Sequence, residues 1–446
     1  MAIPVGEEKT LQVKDGFVIK IIIDESDYEP DCTSLRIISS FNSAYPIFLI
    51  KLNLKPYEVI TNKILGQDTI HLIIDFLDPN GASQFESFAV DLLYLSGEFD
   101  YPISNQLLSS ESAIQDQCPF TVRAVPVDAY KVMTSTINKI YVNTSPIMMF
   151  QHLLNKAFDD SGVDMEKNIL QIDAGIGADF NDTIIDQVIF PPTILKNHFD
   201  YLLNEFGLYK GFGVIYSSIS ENDNKIIYKA MNLNHRLISN IVPSVFKIIQ
   251  LANDMDNDEI INNFEAGEYQ NYYTYNTVHT NYIANTVFSN IGDVVFYVHK
   301  PIDILYRIDN VMPEEYADDS QGMLLPSTEP YINEDGLRLR KKYIPNHICH
   351  TKNETDSNSV QDEYWVSNQL GKSIFNLAQL STTLERNLPL HVFTNIGEPV
   401  IFESNTSEYG PLNGKYILFS TDITFIRKSS WQTVADIQLV RPNWEE

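Results

Sequence analysis

The chain holds 446 residues, 44% hydrophobic and 20% charged, the make-up of a folded protein of two to four domains rather than a disordered one. Lys and Arg number 31 against 59 Asp and Glu, a formal net charge of −28. That balance excludes wrapping of nucleic acid, which takes dense cationic contacts, and docking on an anionic membrane surface. The first ~130 residues read as β-rich, short β-branched and aromatic runs between turn residues. The runs are 17–23, 35–38, 47–54, 57–60, 70–76, 88–95 and 120–127, with Asp78-Pro79-Asn80-Gly81 as a strong turn. Spacing of this kind points to a sandwich or small barrel, not a βαβ sheet.

After Tyr130 helical periodicity enters. Ser145-Pro146 starts a helix, a capping hydroxyl followed by a proline whose missing N–H costs nothing there. Ile147, Phe150, Leu153, Leu154 and Phe158 fall on one face. Past Pro191-Pro192, Thr193 is read as the cap of a second helix with Ile194, Leu195, Phe199, Leu202, Leu203 and Phe206 as its apolar stripe, stopped by Gly207. Strands at 213–217 and 225–231, joined by the polar turn 220–224, complete a compact α/β unit.

Residues 245–300 return to strand character, with tyrosines at 269, 272, 273, 275 and 282. Residues 300–360 read as irregular, with an acidic stretch at 313–319 and a basic cluster of Arg338, Arg340, Lys341 and Lys342. A long helix is predicted from Asp362 to Glu385 on Trp365, Leu370, Ile374, Phe375, Leu377 and Leu380. Strands at 390–393, 400–403, 415–425 and 433–440 close the chain. No tandem repeat of fixed period is visible.

Cys32, Cys118 and Cys349 lie far apart, which is no disulfide framework and suits folding in a reducing cytoplasm. Residues 1–8 lack a basic segment followed by an apolar core, so no signal peptide is expected. Apolar runs such as 294–298 are far short of a membrane span.

Candidate chemistry is sparse. Asp254, Asp256, Asp258 and Glu265 have the spacing of calcium-loop ligands 1, 3, 5 and 12, but the sixth position, where the turn needs glycine, is Glu259. The competing reading is a solvated acidic turn. His347, Cys349 and His350 offer zinc donors too close together to share one ion comfortably, with no fourth partner of matching spacing. Gly175-Ile176-Gly177 and Gly211-Phe212-Gly213 are fragments of phosphate-loop patterns without the lysine or the strand–loop–helix setting, and read as turn glycines. No nucleophile elbow or histidine triad is present. With 59 acids, chance carboxylate pairs are inevitable and argue for no glycosidase. No catalytic, metal or cofactor residues are therefore assigned.

Two segments resemble a known family. One runs Leu388-Pro389-Leu390-His391-Val392-Phe393, Ile396-Gly397-Glu398-Pro399-Val400-Ile401-Phe402, Leu412-Asn413-Gly414-Lys415-Tyr416-Ile417-Leu418-Phe419, Thr424-Phe425-Ile426-Arg427 and Ala435-Asp436-Ile437-Gln438-Leu439-Val440-Arg441. The other is Ile189-Phe190-Pro191-Pro192-Thr193 with Phe199-Asp200-Tyr201-Leu202-Leu203 and Phe206-Gly207-Leu208-Tyr209. They resemble the second tube barrel, and the helical unit after the first barrel, of baseplate hub proteins of contractile-tailed bacteriophages and the related spike proteins of type VI secretion. The resemblance implies a mainly β chain. Two similar antiparallel β-barrels, at 1–135 and at 246–300 plus 361–446, would flank an α/β domain at 136–245, with 301–360 an irregular insertion. It further implies a non-enzymatic virion protein of the tail baseplate, made in the host cytoplasm. As a homotrimer its six barrels would form a pseudo-sixfold ring joining the tail tube protein to the central spike protein, beside baseplate wedge proteins, with transient passage of DNA.

In such a ring part of the acidity is expected to line the channel and repel phosphate; the alternative is that it serves solubility alone. Two other functions stay open. A host-surface or glycan-binding virion protein would use the tyrosines at 269–282, and a hydrolase would need two carboxylates converging in one cleft.

Overall fold

The computed structural model describes residues 17–23, 26–28, 31–54, 69–76, 87–99, 118–173, 180–209, 211–220, 224–238, 246–250, 268–271, 277–280, 295–298, 305–308, 368, 378–385, 396–404, 412–428 and 431–441. The expected strands at 57–60 and 390–393, the turn at 78–81, the calcium-spaced acids Asp254, Asp256, Asp258 and Glu265, the His347–Cys349–His350 group, the Gly175–Gly177 fragment and the acidic and basic stretches at 313–319 and 338–342 all lie outside the described residues.

The first run comprises β1 (Phe17–Ile23), β2 (Ser26–Asp27), β3 (Cys32–Ser40), β4 (Ile47–Leu54), β5 (Thr69–Phe76), β6 (Phe88–Phe99) and β7 (Cys118–Pro126). These strands are antiparallel neighbours in the order β3-β4-β7-β6-β5-β1-β2. Their sequences explain the packing. Along β4, Phe48, Ile50, Leu52 and Leu54 are buried while the residues between them are half-buried, because successive side chains of a strand point to opposite faces. Ile70, Leu72 and Ile74 of β5 do the same. β7 ends one residue earlier than expected, and α1 (Val127–Met133) follows it directly.

The middle section contains β8 (Thr136–Thr144), α2 (Pro146–Ser161), β9 (Asn168–Ile172), β10 (Ile185–Ile194), α3 (Leu195–Glu205), β11 (Gly213–Ile219), β12 (Ile226–Asn232) and α4 (Leu233–Ile238). Helix α2 begins at Pro146, ends on left-handed Gly162 and buries the predicted face. Helix α3 corrects the expectation in part. Thr193 does not cap it; Thr193 and Ile194 finish strand β10, and Ile194 is exposed instead of joining the apolar stripe. The cause is Pro191-Pro192, which keep the chain extended. The pairing of β10 with β8 shifts register between Phe190 and Thr193, leaving the prolines out of the ladder. Gly207, at φ 69°, does terminate the helix. Strands β11 and β12 form the expected hairpin, and β9 lies parallel to β12.

The last run comprises β13 (Phe246–Gln250), β14 (Glu268–Asn271), β15 (Thr277–Thr280), β16 (Val295–Val298), β17 (Leu305–Ile308), β18 (Ala378–Glu385), β19 (Pro399–Ser404), β20 (Gly414–Arg427) and β21 (Trp431–Arg441). Two expectations fail here. β17 is a strand inside the stretch read as irregular, paired antiparallel with β16. The helix predicted to Glu385 gives way to β18, which pairs with β21 along its whole length. Within β18, Leu380 and Thr382 are buried in alternation, so cross-strand packing overrides the helical spacing read from the sequence. Of the preceding residues, Asn368 is described and is helical.

The long strand β20 unites the ends of the chain. One edge pairs with β21; the other pairs first with β19 and then, through Ser420–Ile426, with Ser34–Ser40 of β3. Apart from the separate β16–β17 pair, the strands of the first and last runs are thereby one continuous sheet. Beyond β20 the sheet curls until β14 lies beside β18. The middle section is tied to it by Ser217, whose amide and hydroxyl both donate to the Ala44 carbonyl (3.0 and 2.7 Å). Asn224 accepts from the Ala89 amide and donates to the Ser87 carbonyl (2.9 and 3.0 Å).

Candidate functional site

Four charged side chains meet where the middle section touches the last run. Asp173 follows β9, Lys229 sits on β12, Arg236 on α4, and Glu398 immediately before β19. Arg236 grips Asp173 with two hydrogen bonds, Nε to Oδ2 at 2.8 Å and Nη2 to Oδ1 at 2.5 Å, and donates to Glu398 through Nη1. Lys229 Nζ lies 3.5 Å from Glu398 Oε1. The Asn232 amide adds a donor to Asp173 Oδ2 at 3.0 Å. Lys229, Arg236 and Glu398 are only 3–8% exposed. Two cations and two carboxylates cancel, which is the condition for keeping charge out of water.

Burial lowers the pKa of Lys229, with Glu398 opposing it. Burial also works against the charge on Arg236, but the Asp173 hydrogen bond and the fields of Glu398 and Asp173 outweigh it and raise the pKa. Burial, reinforced by Glu398, holds the Tyr216 phenol well above its usual range. Tyr216 donates to the Ile396 carbonyl, so phenol and guanidinium together pin the turn before β19. Asn368 adds a tie, accepting from the Gly213 amide (3.0 Å) and donating to the Leu203 carbonyl (2.7 Å). Gly213 is thus a strand start, not part of a phosphate loop.

This cluster joins parts of the chain and offers no chemistry to a substrate. Both carboxylates are occupied by Arg236, Glu398 buried and Asp173 partly so, whereas an acid pair must face a cleft. Among the described residues no group of three or more His, Cys, Asp or Glu is placed to hold a metal ion. Among the same residues no helix is long and apolar enough to cross a membrane.

On the solvent side of the β3–β20 seam, Arg36 binds Asp422 with both Nε (2.7 Å) and Nη2. The Asp422 hydrogen bond chiefly raises the Arg36 pKa against the effect of burial. Asp422 stands directly opposite Asp436 on β21, and Thr383 of β18 donates to Asp436 at 2.6 Å. Farther along the sheet Lys20 faces Asp75 (3.7 Å) and His71 faces Asp91 (2.5 Å). The described outer face therefore carries charges of both signs.

The tyrosine series is described at one position: Tyr269 lies in β14. The residues that stand out instead were missed by sequence reasoning. Ile140, Val142 and Ile189 project from the β8–β10 ribbon into solvent. Neither 136–144 (TINKIYVNT) nor 185–190 (IDQVIF) alternates apolar with polar, because apolar side chains lie on both faces, and the double proline further hid the second strand.

No protein-family model matches the sequence, and no curated protein matches it. Solved structures do. The tail protein from Neisseria meningitidis MC58 aligns over 96% of this chain and 97% of its own, at 11% identity and a TM-score of 0.51. The 43 kDa tail protein of prophage MuSo2 from Shewanella oneidensis aligns over 96% and 98%, at 10% identity and 0.52. A type VI secretion component of E. coli aligns over 96% and 76%, at 8% identity and 0.45, a score at which it carries no weight for the fold. The two tail proteins share the fold of this chain nearly end to end.

Proposed function

We propose that the chain is the baseplate hub of a phage-type tail, a structural virion protein and not an enzyme. Three copies build a ring that joins the tail tube to the central spike, beside wedge proteins, and lets DNA pass. In this reading the first and last runs are two similar barrels, so three chains present six and match a sixfold tube to a threefold spike.

The observation that carries the reading is the seam: β3 and β20 join the two runs edge to edge, the kind of contact that a ring repeats between copies. The end-to-end fold likeness to two tail proteins, one of them from a prophage, supports a place in a tail. The acid-pair alternative loses ground at Asp173 and Glu398, because Arg236 occupies both. Particle imaging of the purified chain tests the proposal: the hub reading requires annular particles of three copies, and monomers at all concentrations would refute it.

A further inference from the structure

The β8–β10 ribbon has two unlike faces. One is core: Ile137, Tyr141, Val188 and Phe190 are buried, and the Tyr141 and Phe190 rings meet edge to face at 5.7 Å. The other faces solvent. There Ile140 stands opposite Ile189 and Val142 opposite Gln187, with Ile140, Val142 and Ile189 exposed by 54%, 60% and 58%. Asn138 and Pro191 flank them, and Ile194, 37% exposed, ends the row. These aliphatics present roughly 300 Å² of apolar surface, the size at which a patch on a single chain tends to be functional. The charged residues of the ribbon, Lys139 and Asp186, have the opposite strand parity, in step with Tyr141 and Val188. In a chain of net charge −28, this face carries no charge.

We infer that this face packs against a second copy of the chain. The inference rests on the ring reading and names one of its contacts. The argument for the occupant is electrostatic. Copies of charge −28 repel wherever acidic surfaces approach within about a Debye length, ~10 Å. They meet with least opposition on an uncharged face whose burial is itself favourable. A cationic partner would gain nothing there. The patch falls short of the ~800 Å² that each partner of a stable pair buries. It is therefore the apolar centre of a larger head-to-tail contact, the geometry that closes a ring.

The test compares the full chain with I140N/V142N/I189N by sedimentation velocity over a range of concentrations. In the unassembled chain these side chains face water, so at concentrations below assembly thermal melting by circular dichroism should match wild type. Half-assembly of the variant should need at least tenfold more protein. As a second readout, a polarity-sensitive fluorophore on V142C in a C349S background reports the face directly, Cys32 and Cys118 being buried. Its emission should shift to the blue as copies associate. A trimeric wild type with an equally trimeric triple variant, or a probe that stays wet in the assembled state, overturns this inference and leaves the hub reading standing. A wild-type chain that never associates overturns both.

Discussion

Glu398→Gln is the most informative single change to the buried cluster. Glutamine keeps the shape of the side chain but removes the charge that faces both Lys229 and Arg236. Arg236 retains its two bonds to Asp173, so the loss falls mainly on Lys229, 3% exposed and left without its carboxylate. Removing one member of a buried ion pair costs about 3–5 kcal/mol. The lower end is expected here, because Lys229 can shed its proton.

That escape gives a pH signature. Burial already lowers the Lys229 pKa from 10.5, so between its folded and unfolded values the unfolded chain holds the extra proton and stability rises with pH. In Glu398→Gln that window extends further down, and the deficit should be largest at low pH and shrink as pH rises. Urea unfolding at several pH values measures it. K229M added to E398Q should recover most of the loss, since the orphaned charge is gone. A single variant within ~0.5 kcal/mol of wild type at every pH, taken with a buried-pair cost of several kcal/mol, would refute the reasoning.

Gly397 has φ 81°, and a Cβ there would lie 2.5 Å from the Tyr216 hydroxyl. Gly162 has φ 62° with open space around it. Gly162→Ala should cost ~1 kcal/mol in urea unfolding, for left-handed backbone alone, and Gly397→Ala distinctly more. Burial pushes Tyr141 up to about 12 from 10.0. The unfolded chain then loses this proton first, so stability should fall as pH rises from 10 to 12, and less steeply in Tyr141→Phe. Arg36→Met should change stability by under ~1 kcal/mol, because its pair with Asp422 is solvent-exposed.

Much of the fold was legible where one face of a strand is buried and the other wet. The spans of β1 and β4 follow from their β-branched, aromatic and aliphatic runs between turn residues, and α2 from Ser145-Pro146 and its apolar stripe. Failures occurred where tertiary pairing decided. Residues 378–385 carry helical spacing, yet β21 offers them a full-length partner. Pro191 and Pro192 read as a break, yet a register shift lets β10 continue through them. The charge cluster was invisible because Asp173, Lys229, Arg236 and Glu398 are scattered over more than 200 residues and look like ordinary surface charges until the fold buries them. Cross-strand partners such as Ile140 and Ile189 likewise become neighbours only through pairing.

Native mass spectrometry of the intact chain bears most directly on the ring. A hub requires a dominant species of three chains, carrying −84 in formal charge from three copies at −28. A single-chain mass persisting at concentrations well above those of assembly in a host cell would contradict it.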